Sequence, residues 1–149
     1  MKNVIVFALG QARYAIELRW VREVFTLGPV TPVAYAPEAI AGVVNYRGAI
    51  MPILDLAFLL GGPPGGARAH GGEGAILIEV EDVRAAVRVS SVVEVSTLRP
   101  DLAAGRPALV DSDGRTVPLI DPPSLLAGAR SAAQAAAQTG TGEPGDPRA

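Results

Sequence analysis

The chain has no cysteine and a single histidine, His70, in 149 residues. The first absence excludes disulfides, thiolate catalysis and Cys-based metal sites together. The second leaves no all-His metal site and no His/Glu helical pair. His70 lies in a Gly-rich stretch, where a catalytic group is not held to the tolerance that chemistry demands. Aromatic residues make up only 5% of the chain against 49% hydrophobic, so a core must be built mainly from aliphatic side chains. Lysine occurs once, as Lys2. The remaining positive charge is arginine, whose planar fork suits directed hydrogen bonding. Net charge is −2, from 13 basic and 15 acidic residues, which gives no general attraction to nucleic acid. One Trp, 3 Tyr and 3 Phe are too few for a base-stacking platform. Long apolar runs are also missing. Val4 to Leu9, after Lys2 and Asn3, is too short for a membrane span and lacks a signal-peptide cleavage pattern. The expectation is a cytosolic protein that starts in a strand, and the lack of cysteine fits a reducing compartment.

Reactive motifs are equally scarce. The serines at 90, 91, 96, 112, 124 and 131 stand outside any Gly-x-Ser-x-Gly elbow. The Gly-rich stretch lacks the Gly-Lys-Ser/Thr ending of a phosphate-cradling loop. Glu79, Glu81 and Asp82 cluster as they do at a solvated hairpin. Asp111, Asp113 and Gly114 lack the terminal Glu of a calcium loop and read as a tight turn. No catalytic residue, metal site or cofactor is assigned.

What the sequence does contain is a repeat. Ala15, Val21, Glu23, Val24, Thr26, Leu27 and Pro29 match Ala86, Val92, Glu94, Val95, Thr97, Leu98 and Pro100 at a constant spacing of 71 (86 − 15). Gly48, Pro52, Asp55, Leu59 and Leu60 match Gly114, Pro118, Asp121, Leu125 and Leu126 at a spacing of 66 (114 − 48). Ordered polar matches at fixed spacing are the mark of internal duplication.

Each copy reads as short strands. Val4 to Leu9 is a buried run. Tyr14, Ile16 and Leu18 alternate with polar residues at the period of a half-buried strand. A turn follows near Trp20, then a strand over residues 23–27. Pro29, Pro32 and Pro37 exclude helix. Residues 41–46 and 49–54 form a hairpin across Arg47-Gly48, with Pro52 implying an edge or a bulge. In the second copy, strands are expected at 75–80, 84–89, 93–98, 107–110 and 115–120. Asp55 and Asp121 each precede a Leu-containing segment and are suited to cap a short helix. A catalytic pair of these two carboxylates is the less economical reading. The predicted fold is all-β, with two small five-stranded barrels and a short helix after each copy. The first barrel spans about residues 1–60, residues 61–74 form a linker, and the second barrel spans about 75–129. The boundary is sequential, and a strand can cross between halves. Residues 130–149, rich in Ala, Gln, Gly, Thr and Pro, are expected to be a disordered tail.

Asn45-Tyr46-Arg47-Gly48 is the element the second copy does not repeat. Arg47 at the hairpin tip is either merely solvated, or pairs with Glu23 or Asp55, or offers its guanidinium fork to a partner. Glu23, flanked by Val21 and Val24, stands at the margin of an apolar groove, although its counterpart Glu94 argues for a scaffold role. Tyr14-x-Ile16-x-Leu18-x-x-Val21-x-Glu23-Val24, Gly42 to Gly48 and Pro52 to Leu56 together resemble the CheW family of chemotaxis adaptors. The same fold occurs in the regulatory domain of the histidine kinase CheA. The resemblance covers residues 4–126.

That resemblance implies two SH3-like barrels without catalytic activity and without a cofactor. It implies an adaptor that couples the cytoplasmic tips of methyl-accepting chemoreceptors to a CheA-type kinase. Such a protein is cytoplasmic and recruited to membrane-associated receptor arrays, with no membrane insertion and no nucleic acid. The family's receptor-contacting residues fall on Val21, Glu23 and Arg47, with Val24 beside them and a groove position near Ala86. Asn45, Gly48, Asp55 and Asp121 take turn or structural roles. The chain departs from the family at Val89-Ser90-Ser91-Val92, where an acid is missing, and in a shorter connection from Leu98 to Leu109. A divergent adaptor for a non-flagellar signalling cluster and a small-ligand-binding β-barrel are the alternatives.

Overall fold

The computed structural model describes residues 1–33, 37–61 and 69–141, the last ten of these as backbone only. The strands are β1 (Lys2–Leu9), β2 (Ala12–Glu17), β3 (Val21–Thr26), β4 (Val30–Thr31), β5 (Ile40–Tyr46), β6 (Ala49–Leu54), β7 (Gly74–Val80), β8 (Val83–Val89), β9 (Ser91–Pro100), β10 (Ala108–Val110) and β11 (Thr116–Ile120). A 3-10 turn at Leu18–Trp20 joins β2 to β3. Helix α1 (Leu56–Leu59) follows β6 and helix α2 (Pro122–Thr141) follows β11.

The architecture is all-β, in two units. One is a closed barrel with strand order β1-β2-β11-β10-β9, and the other a six-stranded sheet with order β3-β7-β8-β6-β5-β4. The sheet is the barrel's counterpart with a break in one strand. In the barrel, the end of β9 turns to pair with β10 at Leu109↔Pro100 and Val110↔Arg99. In the sheet, the chain breaks at Leu27-Gly28-Pro29, and β4 then pairs with β5 at Val30↔Val44. The two outer strands of the sheet are thus successive pieces of one chain segment.

The sequential halves and the spatial units do not coincide. The barrel takes β1 and β2 from the first copy and β9 to β11 from the second. The division into 1–60 and 75–129 is therefore a division of sequence only. Two parallel ladders carry the exchange, Leu119↔Ala15 joining β11 to β2 and Ile53↔Ala86 joining β6 to β8. These pairs are duplicates of one another at the two repeat spacings. Pro52 was placed by its chemistry at an edge or bulge, yet β6 lies inside the sheet. The ladder to β8 begins only at Ile53, one residue later, so at Pro52 the strand is paired on one flank alone. Pro118 sits in the same relation to β2.

Three aliphatic cores result. Val4, Val6, Ala15, Leu98, Leu109 and Val117 fill the barrel. Leu27, Val44, Met51, Ile53, Ala75, Leu77 and Ala86 fill the curl of the sheet. Ile5, Phe7, Ile16, Leu54, Ile76, Ile78 and Val87 lie between the two. The continuous apolar run of β1 is explained by burial on both faces, Val4 and Val6 inward and Ile5 and Phe7 toward the other unit. Each such large side chain contributes roughly 1.5–3 kcal/mol.

Asp55 and Asp121 cap their helices as expected. Asp55 Oδ1 accepts the Phe58 N–H at 3.2 Å, and Asp121 Oδ2 accepts the N–H and hydroxyl of Ser124 at 3.3 and 2.6 Å. The second helix is not short, however, and residues 130–141 are helical where disorder was predicted. Leu125 and Ala129 are buried and anchor the first turns, and the Ala-rich continuation has the highest intrinsic helix propensity. Residues 142–149, like 62–68 of the linker, lie outside the described residues.

Candidate partner-binding groove

The tip of the β5–β6 hairpin is a two-residue turn. Arg47 (φ 50) and Gly48 (φ 86) are both left-handed, the signature of a type I′ turn whose twist matches the flanking strands. Asn45 Oδ1 accepts the Gly48 N–H at 3.0 Å and pins the turn. Glycine meets this geometry freely, whereas an arginine held at positive φ carries strain, and such strain gathers at functional sites. The Arg47 side chain is 74% exposed.

β3 supplies the facing wall. A bulge lies between Val21 and Glu23, which pair with Ile78 and Leu77, so Arg22 is the extra residue. The Glu23 carboxylate accepts from the Tyr46 phenol and from Arg47 Nη2 at 2.9 Å. The Arg47 guanidinium lies 5.1 Å from the Tyr46 ring centre, and Phe25 packs against Tyr46 with centroids 4.8 Å apart. Donating to Glu23 pushes the Tyr46 phenol above its ordinary pKa, with burial adding to the effect. Across the groove, Glu79 accepts from Arg84 Nε at 2.8 Å and faces Arg22 Nε at 3.3 Å. The Arg84 hydrogen bond holds Glu79 below the usual carboxylate range, and Arg84 is raised in return. A groove of about 390 Å³ opens between these walls, lined by Val21, Arg22, Glu23, Tyr46, Arg47, Ala49, Leu77 and Arg84. It exists because the hairpin separates from β8 before Ile53, leaving a gap where a ladder would otherwise run.

The expected site residues divide. Val21, Glu23 and Arg47 come together in the groove. Arg47 pairs with Glu23, while Asp55 is engaged in its cap. Val24 lies on the exposed face of β3, 47% accessible and paired with Ile76. Ala86 is fully buried, packed with Leu77 and Ile53 inside the sheet. It is a core residue and no groove position: β8 is buried on both faces here, with Ala85 and Val87 in the cluster between the units and Ala86 in that of the sheet. Ser90, where the family's acid is missing, accepts the Gly10 N–H at 2.9 Å through its hydroxyl.

The duplication separates scaffold from addition. The barrel repeats the bulge, at Val93 between Val92 and Glu94. Glu94 accepts from Ser96 and Ser112 hydroxyls at 2.6 and 2.7 Å, which lower its pKa. Ser112 stands where Tyr46 stands in the first copy. A glutamate that takes a hydroxyl from the hairpin is thus common to both halves, and Glu23 has a latching role beside its exposure. Arg47 has Asp113 as its counterpart. Arg84 has Arg13, which lies 3.7 Å from both Asp111 and Asp113. Arg22 and Arg84 carry no motif of their own in the sequence, Tyr46 stands there only as part of the unrepeated turn, and Glu79 only as part of a solvated hairpin cluster. The available signal was the Arg13/Arg84 match at the repeat spacing. Among the described residues, no group of three or more His, Cys, Asp or Glu is placed to hold a metal ion.

A CheW-like domain family model matches residues 3–130. The chain is 28% identical over 108 residues to a probable chemotaxis protein CheW of Rhizobium etli, a match that spans 72% of this chain and 68% of that protein. It is 37% identical over 60 residues to the chemotaxis protein CheW of Rhizobium meliloti, 40% of this chain and 39% of that one. Its fold is similar to the crystal structure of the scaffolding protein TtCheW from Thermoanaerobacter tengcongensis. The TM-score is 0.62 at 25% identity, covering 80% of this chain and 88% of that one.

Proposed function

The chain belongs to the CheW-like domain family, and on that premise we propose that it is a non-catalytic adaptor coupling the cytoplasmic tips of methyl-accepting chemoreceptors to a CheA-type histidine kinase. The receptor meets the groove through Val21, Glu23 and Arg47, with Val24 on the adjoining face. The kinase meets exposed turns of the second half. The protein works in the cytoplasm and reaches receptor arrays through its partners. No helix among the described residues is long and apolar enough to cross a membrane.

The observation that carries this reading is Arg47. It is held at positive φ on a pinned hairpin tip and is mostly exposed. The matching place in the second half holds an aspartate. An exposed ion pair such as Arg47–Glu23 contributes only about 0.2–1 kcal/mol, so stability does not account for the strained arginine. A guanidinium with free donors beside an apolar wall does suit recognition.

The test is calorimetric titration of the full chain with a soluble receptor tip fragment. Arg47→Glu is expected to weaken binding at least tenfold while leaving the thermal midpoint within a few degrees. Unchanged affinity would remove Arg47 from the interface.

A further inference from the structure

The groove has a second wall that the receptor residues above do not include. Arg22 comes from the bulge of β3, Arg84 from the start of β8, and Glu79 of β7 stands between them. Both arginines meet Glu79 through Nε, which leaves the terminal Nη groups of each for another acceptor. Their side chains are 56% and 47% exposed. With Arg47, three guanidinium groups face two carboxylates, Glu23 and Glu79, a surplus of one positive charge. Val21 and Ala49 are the more accessible apolar residues of its lining, with the buried Leu77 behind them.

The duplicated fold does not require this charge. At the matching places the barrel has Val93 for Arg22 and Asp113 for Arg47. Of the three matching places only that of Arg84 keeps an arginine, Arg13, and it lies 3.7 Å from both Asp111 and Asp113. The same mouth has therefore been built once with a negative balance and once with a positive one. The whole molecule carries −2, and three arginines around one groove do not make the extended basic track that a phosphodiester chain needs.

We propose that Arg22 and Arg84 form an acid-reading wall, and that the groove takes a Glu or Asp side chain projected from a helix of the receptor tip. The carboxylate lies against the free Nη donors, and its aliphatic stem lies on Val21 and Ala49. This rests on the adaptor reading and names the chemistry its partner presents. Glu79 offsets part of the charge of both forks through their Nε groups and does not bind the partner.

The experiment titrates the full chain with the soluble cytoplasmic tip of a methyl-accepting chemoreceptor at two salt concentrations. Arg22→Gln/Arg84→Gln is expected to lower affinity about tenfold or more and to flatten its salt dependence. Glu79→Gln, which keeps both guanidinium groups and removes a negative charge, is expected to hold or tighten binding. A tip whose acidic residues are replaced by amides is expected to bind the unaltered chain about tenfold less well, with no further loss from the arginine double variant. The loss seen with the unaltered chain and the amide tip needs no altered adaptor and so is independent of any folding defect. Unaltered affinity in the double variant, with the unaltered chain binding normally, overturns the acid-reading wall and leaves the adaptor reading standing. So does weakened binding in Glu79→Gln. A tip that fails to bind the unaltered chain overturns both.

Discussion

Replacing Ala86 by leucine separates a core position from a contact position. Ala86 has no accessible surface. It pairs with Leu77 on one side and Ile53 on the other, and Val44 and Met51 share its cluster. Three added carbons have no vacant space to enter, and interiors are packed as tightly as organic crystals. Overpacking of this kind costs about 1–3 kcal/mol. A domain of this size loses roughly 2–4 °C of thermal midpoint per kcal/mol, so the midpoint is expected to fall by about 2–12 °C. Melting followed by circular dichroism gives that number, and titration with a receptor tip well below the midpoint gives the affinity of the folded molecules, expected to be unchanged. A variant that melts like the unaltered chain but binds the tip more weakly would refute the reasoning and return Ala86 to the surface.

Gly42 has φ 145, and a Cβ there would lie 2.6 Å from Val30 Cγ1 and 3.3 Å from the Thr31 carbonyl oxygen. Gly42→Ala is therefore expected to cost at least about 2 kcal/mol in urea unfolding and to loosen β4 first in hydrogen exchange; an unaltered urea midpoint would contradict the close approach. Asp55→Ala removes the cap on Phe58 N–H and is expected to cost about 1 kcal/mol, measured the same way. Glu94 is held below its ordinary value of 4.5 by the Ser96 and Ser112 hydroxyls. A depressed carboxylate adds stability above its unfolded pKa, and that share is lost as pH falls through the folded value. Stability is thus expected to fall below about pH 4.5, and Ser112→Ala is expected to flatten that fall, as read from denaturation midpoints across the acid range.

Local features of the fold were legible because they depend on local physics. Alternation at Tyr14 and Ile16 gave β2, although Leu18, the next in that pattern, falls in the 3-10 turn; the Arg47-Gly48 pair gave the hairpin, and Asp55 and Asp121 gave both caps. Constant spacing gave the duplication. The exchange of strands was not legible in detail, since Leu119↔Ala15 and Ile53↔Ala86 join residues far apart in sequence that carry no pairing code of their own. Pro52 misled for the same reason: its open flank is a property of where β8 joins, which no window around the proline contains. In the 130–141 stretch, composition argued for disorder while Ala propensity argued for helix, and docking of Leu125 and Ala129 decided between them. Part of the groove was visible through Val21, Glu23 and Arg47. The Arg22–Glu79–Arg84 wall was hidden because it needs a bulge and three strands from two copies. Ala86 was placed by likeness of motif, which fixes register but not depth of burial.

Coupling itself is tested most directly by mixing the chain with a receptor tip fragment and the regulatory domain of a CheA-type kinase, then measuring mass by light scattering after gel filtration. One species containing all three components, dependent on this chain for its formation, is the result expected of an adaptor. Two separate binary complexes that displace one another, or no complex with either component, would contradict it.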